Sequence, residues 1–250
     1  MPTWLIVILA IAAGVGIGVA AKKKDDPKFK PLAVVCVLVL LACAWFHIDN
    51  QVGIFGDNLE TRNQRESAER FNEARVKKMC EYIKSKNPGK IVIIPSGGSD
   101  YAKNEYSKKQ AELVKKYVGD AEIKPVEYTR TEDEAAAGPM GPTAEEWNKF
   151  FKANADANLF IVLEQLPMDE IGIYKMEIFR GKSKQKLALF DLGDVKMMKP
   201  FFESEVILVS VTGKAGLKSE DYEKLAPKDL EEAFKARYEL VTKDNIKNIK

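Results

Sequence analysis

An α/β protein behind a membrane-inserting helical hairpin is the fold class this sequence predicts, and three observations predict it. Two runs free of charged side chains, Trp4 to Ala20 and Leu32 to Phe46, lie close together near the start. A largely polar stretch of helical character follows them. Beyond residue 88, short β-branched runs alternate with amphipathic segments, the pattern of βαβ units around a mainly parallel sheet. The expected division is a hairpin over 1–47 with a basic loop at 21–30, a linker and helical stalk over 48–87, and a domain over 88–250. That domain reads as a Rossmann-like, doubly wound, mainly parallel sheet of five or six strands.

Each apolar run approaches the ~20 residues an α-helix needs to cross roughly 30 Å of hydrocarbon. Backbone groups in lipid must be satisfied within the segment, so two such runs joined by a tight turn predict two transmembrane helices. The turn between them carries five Lys and two Asp. Lys-rich short loops stay in the cytoplasm, which puts both termini and the rest of the chain on the far side, periplasmic or extracellular. The bilayer is thus the first expected partner. Two other readings stand beside this one. Gly18-Val19-Ala20 offers the small residues of a cleavage site, which would leave the second run as a lone anchor, although no basic n-region precedes the first. Alternatively, both runs are buried helices of a soluble protein. Gly14 and Gly18 form a small-xxx-small pair suited to close helix packing, against the second run or against another copy or membrane partner. His47, beside Trp45 and Phe46, reads as an interfacial anchor.

Composition narrows the function classes. The net charge is +2, but removing the loop's Lys and Asp leaves 34 basic and 35 acidic residues. Lys and Glu alternate along helices as on an ordinary solvated face, so no nucleic-acid partner is expected. Cys36 and Cys43 lie in the second apolar run and Cys80 stands alone, so neither a disulfide framework nor a zinc site is implied. With no histidine beyond His47, Ser-His-Asp, Cys-His and His-based zinc chemistry are excluded from the domain. No cofactor and no metal site is implied.

The stalk is expected from Asn58 to Lys86, ended by Asn87-Pro88-Gly89, polar through Arg70 and then apolar at Phe71, Ala74, Val76, Met79, Cys80 and Ile83. Lys90 to Pro95 reads as a strand buried on both faces. A helix follows from Tyr101 to Val118, with Tyr106, Leu113, Val114, Tyr117 and Val118 inward, then a weaker strand over Glu122 to Tyr128. Thr129 to Gly141 reads as an exposed loop. Thr143 and Glu146 make a capping box for a helix with the stripe Trp147, Phe150, Phe151. Asn158 to Leu163, Lys186 to Phe190 and Glu205 to Val211 read as strands. Asp194 can cap a helix through Phe202, Asp229 to Ala236 reads as a helix, and Tyr238 to Thr242 as a last strand. Ile171 to Phe179 alternates enough to be a strand, antiparallel in the sheet.

The βα start Lys90-Ile91-Val92-Ile93-Ile94-Pro95-Ser96-Gly97-Gly98-Ser99-Asp100, then a Lys-rich helix, then Ala157-Asn158-Leu159-Phe160-Ile161-Val162-Leu163, resembles one lobe of type I periplasmic binding proteins. The resemblance covers residues 88–211 and is one of order and pattern. It implies a secreted or anchored α/β module that captures sugars and similar small ligands in a cleft between two lobes. The chain beyond residue 90 is too short for two full lobes, and none of the family's ligand residues carries across.

In doubly wound sheets, ligands sit beyond the carboxyl ends of the strands. Those ends are Ser96-Gly97-Gly98-Ser99-Asp100, Tyr128-Thr129, Glu164-Gln165, Asp191 and Thr212-Gly213. The glycine pair can aim amides at a phosphate or carboxylate, or simply make a tight turn with Ser99 or Asp100 as helix cap. It is neither a P-loop nor a GxGxxG motif. Glu164 and Asp191 could converge as paired carboxylates for metal or acid–base work, or stand solvated. The expected site is therefore Ser96, Gly97, Gly98, Ser99, Asp100, Glu164 and Asp191. The expected function is non-catalytic binding of a small ligand or protein partner. Next come a structural component of a cell-envelope membrane complex and then a carboxylate-dependent hydrolase.

Overall fold

The computed structural model describes residues 3–23, 29–52, 59–128, 141–167, 170–181, 183–190 and 195–249. They fall into two units, Met1–Ala68 and Glu69–Lys250. In the first, helices α1 (Thr3–Lys22) and α2 (Lys30–Val52) pack on each other, and both are long and apolar enough to cross a membrane. The seam between them is built mostly from small residues. Ile6, Ala13 and Ala20 on α1 and Cys36 and Cys43 on α2 are its buried positions, seven apart, the spacing at which two helices keep one face in contact. Gly16 belongs to this seam, because a Cβ there would collide with the Cys36 sulfur. Gly14 and Gly18 are exposed, with nothing within 4 Å of where a Cβ would lie. The outward surface is apolar, with Val7, Ile8, Ile11, Val15, Val34, Val35, Leu38 and Leu41 all exposed.

Helix α3 (Leu59–Lys86) begins in the first unit and ends in the second. Within the second, Phe71, Ala74, Val76, Met79, Cys80 and Ile83 are all buried, as their helical spacing predicts. The other elements there are β1 (Ile91–Ile94), a 3-10 helix (Gly98–Lys103), α4 (Glu105–Val118), β2 (Glu122–Ile123), α5 (Ala144–Ala153), β3 (Leu159–Val162) and α6 (Glu170–Lys175). After them come β4 (Lys186–Leu189), α7 (Val195–Glu203), β5 (Ile207–Gly213), α8 (Ser219–Glu223), α9 (Leu230–Arg237) and β6 (Tyr238–Val241).

Among the described residues the sheet runs β2-β1-β3-β4-β5-β6, parallel except for β6, which is antiparallel to β5. Alternation along each strand divides its side chains between two cores. Val92, Ile94, Phe160, Val162, Leu187 and Leu189 meet Trp147, Phe150 and Phe151 of α5, Ile173 of α6 and Met198 and Phe202 of α7. Ile91, Ile93, Leu159, Ile161, Ala188 and Val209 meet Met79 and Ile83 of α3, Val114 of α4 and Phe234 of α9. Helices on both faces make the sheet doubly wound. Its edges are blunted: β2 is two residues long, and Asn245 donates to the Leu240 carbonyl of β6 at 2.6 Å.

Several elements depart from the sequence reading, each for a local reason. The expected strand over Ile171 to Phe179 is helix α6 followed by a 3-10 turn (Glu177–Arg180). Three of its buried residues, Ile173, Met176 and Phe179, recur every third position, a helical face, and Ile178 of the 3-10 turn is buried beside them. The helix expected from Tyr101 is interrupted at Asn104, whose side chain accepts from the Tyr106 and Ser107 amides at 3.0 and 3.1 Å and so starts α4 anew. That rotates Tyr106 outward, 65% exposed, and puts Ser107, Gln110 and Ala111 on the inner side. β2 ends early because Lys124 gives the last ladder bond, to the Ile93 carbonyl at 2.9 Å, and Pro125 has no N–H to continue it. β5 starts two residues late because Glu205 is left-handed (φ 61°) at the end of α7. The capping box of Thr143 and Glu146 and the Asp229 cap of α9 form as expected. Residues 129–140 and Asp194 lie outside the described residues.

One contact between α3 and α4 makes stability pH-dependent. The Tyr117 hydroxyl donates to Glu73 Oε1 at 2.6 Å, with Lys116 Nζ at 3.4 Å. The Tyr117 bond, with Lys116 beside it, holds the Glu73 carboxyl below its usual range. Burial, and then that same bond, pushes Tyr117 up to about 12. A lowered carboxyl stabilises above its unfolded pKa, and the benefit is lost as pH falls through the folded value. A raised phenol stabilises below about 10, its unfolded pKa, and loses that benefit as pH climbs to about 12. Tyr117→Phe is therefore expected to flatten both flanks of the denaturation midpoint measured against pH. Unchanged flanks would refute this role for the contact.

Candidate functional site

The sheet order reverses around β1, with β2 on one side and β3 on the other, so a crevice is expected beyond the carboxyl ends of β1 and β3. The register pairs Ile94 with Val162, which brings Ser96 and Glu164 side by side two residues further on. Between them the backbone does something unusual. Gly97 (φ 91°) and Gly98 (φ 54°) are both left-handed, and their N–H groups turn toward one point, as in the amide nests that hold anions.

Glu164 fills that point. Its Oε2 accepts from the Gly97 amide at 2.7 Å, the Gly98 amide at 3.1 Å and the Tyr128 hydroxyl at 3.2 Å, and its Oε1 accepts from the Gln165 amide at 2.9 Å. A carboxylate offers about four acceptor positions, and four donors engage this one. One side chain thus ties together the segments that follow β1, β2 and β3. The Tyr128 ring lies against Gly98, where a Cβ would come within 2.6 Å of it. On the far side Gly141 rests on Gln165, where a Cβ would lie 3.0 Å from the carbonyl oxygen.

The residues expected at the site are therefore distributed unevenly. Gly97, Gly98 and Glu164 are brought together. Ser96 faces α4, with its hydroxyl 2.9 Å from that of Ser107. Ser99 and Asp100 are exposed, and Asp100 pairs with Lys103 at 2.7 Å, a surface pair of small energetic weight. Neither serves as a cap: Gly97 opens the 3-10 turn and Asn104 caps α4. Asp191 lies outside the described residues, and with it the pairing expected with Glu164. Tyr128, one of the strand-end residues, closes the cluster through its ring and its hydroxyl. The signal for it was its place at the end of a short strand. Among the described residues no group of three or more His, Cys, Asp or Glu is arranged to hold a metal ion. A separate concavity of about 340 Å³ lies between Lys124–Glu127 and α5, floored by Phe150.

No protein-family model matches the chain, and no curated protein matches it either. Among solved structures it is similar to a mutant of the XylFII–LytSN complex, with 15% identity over 70% of this chain and 68% of that one and a TM-score of 0.42. It is also similar to AraP, an arabinose-binding protein from Geobacillus stearothermophilus, at 14% identity over 72% and 63% with a TM-score of 0.41. A third is the substrate-binding protein of a sugar ABC transport system from Bordetella parapertussis, at 12% identity over 56% and 41% with a TM-score of 0.37. Sugar-binding proteins are thus among the structures this chain is similar to, at low identity, as the order of its elements suggests.

Proposed function

We propose that this chain is a membrane-anchored binding module. The α1–α2 hairpin spans the bilayer with its Lys-rich loop on the cytoplasmic side. The α/β unit lies on the extracytoplasmic side and takes a small ligand or a partner segment at the β1/β3 crevice, without covalent chemistry. The observation that carries the reading is the convergence of Gly97, Gly98, Tyr128 and Glu164 where the strand order reverses. Three elements fix polar groups there in one geometry, which is what ligand recognition requires of a crevice. The absence of histidine from the sequence beyond His47 removes Ser-His-Asp and Cys-His chemistry from the α/β unit.

The test is thermal unfolding of the full chain in detergent against sugars, nucleotides, amino acids and divalent cations. A ligand that binds only the folded state stabilises by about 2.7 kcal/mol at a hundredfold excess over its Kd. The expected result is a shift from one class that is lost in Glu164→Gln. A shift from no class would reject the reading in favour of an envelope-complex component, to be sought by cross-linking in membranes.

A further inference from the structure

We infer that Glu164 is a built-in anion that sets the charge selectivity of the strand-end crevice: it closes the Gly97–Gly98 nest to phosphate and carboxylate ligands and reserves the crevice for uncharged or cationic ones. This rests on the reading of the crevice as the ligand face. Two left-handed glycines in sequence form a donor array whose natural complement is an oxyanion. The array is open to solvent on its Gly97 side, where Gly97 is exposed and Glu164 half-buried, while Gly98 is buried. Yet both nest amides are already spent on Glu164 Oε2, at 2.7 and 3.1 Å.

Three features make this occupancy hard to displace. Glu164 sits at the end of β3, whose register with β1 delivers it to the nest, so it competes intramolecularly, at an effective concentration that dilute external anions do not reach. The Tyr128 hydroxyl and the Gln165 amide hold the same carboxylate from other directions. An arriving phosphate would also meet the like charge of Glu164 at the nest amides. A neutral or cationic group meets no such repulsion. The nest thus works as a specificity device through the ligand class it refuses.

The experiment is thermal unfolding of the full chain in detergent with increasing inorganic phosphate, matched for ionic strength with chloride, for wild type and Glu164→Ala. Wild type should show no phosphate-specific shift, while Glu164→Ala, with its nest emptied, should rise by several degrees in millimolar phosphate. Equal shifts in both proteins, or a shift in neither, would overturn the assignment. Should Glu164→Ala not fold, Glu164→Gln is read in the same way, because phosphate then displaces a neutral oxygen. If the variant takes phosphate while no compound shifts the wild type, the binding-module reading fails and only the occupancy of the nest by Glu164 stands. If a ligand is found and the variant ignores phosphate, the binding-module reading stands and the selectivity assignment fails.

Discussion

Phe160→Ala is expected to remove about 3–5 kcal/mol of stability from the α/β unit. Phe160 is fully buried on β3, which lies between β1 and β4. Its ring packs against Phe151 at 4.9 Å and Phe150 at 6.0 Å between centroids, both edge-on, so truncation loses aromatic contacts as well as buried area. The surroundings resist collapse into the gap, because Trp147 stacks on Phe151 at 5.5 Å and is itself fully buried. A domain commonly has about 5–15 kcal/mol in all, so the variant should unfold at much lower urea concentration and show a clear drop in yield. Urea unfolding followed by tryptophan fluorescence measures it. A loss below about 1 kcal/mol would mean that this face of the sheet is not packed as described.

Gly98→Ala should cost about 2–3 kcal/mol, and more than Gly97→Ala. Both glycines are left-handed, which alone is worth roughly 1–2 kcal/mol for a residue with a Cβ. They differ in what that Cβ meets. At Gly97 the nearest atom is 3.6 Å away, an ordinary contact. At Gly98 it would lie 2.6 Å from the Tyr128 ring, so ring or loop must move and the Glu164 hydrogen bonds to Gly98 and Tyr128 are strained with it. Adding Tyr128→Ala to Gly98→Ala should recover the steric part, so the two effects will not add. Additive losses in that double-mutant cycle would show that the ring and the glycine are independent.

What the sequence revealed depends on how local the cause was. Lys90 to Pro95, Asn158 to Leu163 and Lys186 to Phe190 are dense β-branched or aliphatic runs, and strands β1, β3 and β4 lie within them. The stripe Trp147, Phe150, Phe151 and the Thr143 capping box made α5 equally legible. Ile171 to Phe179 was not, because Ile171-Gly172-Ile173-Tyr174 alternates like a strand while Ile173, Met176 and Phe179 recur like a helix. Over so few residues both periods fit. Within the hairpin the small-xxx-small spacing drew attention to Gly14 and Gly18, while the contact with Cys36 is made by Gly16. Which side of α1 faces α2 is decided by helix pairing, which residue spacing alone does not specify when every side is apolar.

The candidate site divides in the same way. Gly97, Gly98 and Glu164 were each legible as strand-end residues. Their meeting was not, because it depends on β1 and β3 being neighbours in the Ile94–Val162 register, a contact spanning nearly seventy residues of chain. Read locally, the glycine pair suited either a tight turn before a helix or a receptor for an external anion. In the folded protein the anion is already present, as Glu164.

Hydrogen exchange with peptide-level mass spectrometry on the full chain tests whether the β1/β3 crevice is the binding face. The compound that most raises the unfolding midpoint is compared with its absence. Slowed exchange is expected over 96–103, 124–128 and 163–167, the three segments that Glu164 joins, with the buried strand 91–94 unchanged. Protection confined to 144–154, beside the concavity next to α5, with 96–103 unaffected, would contradict it.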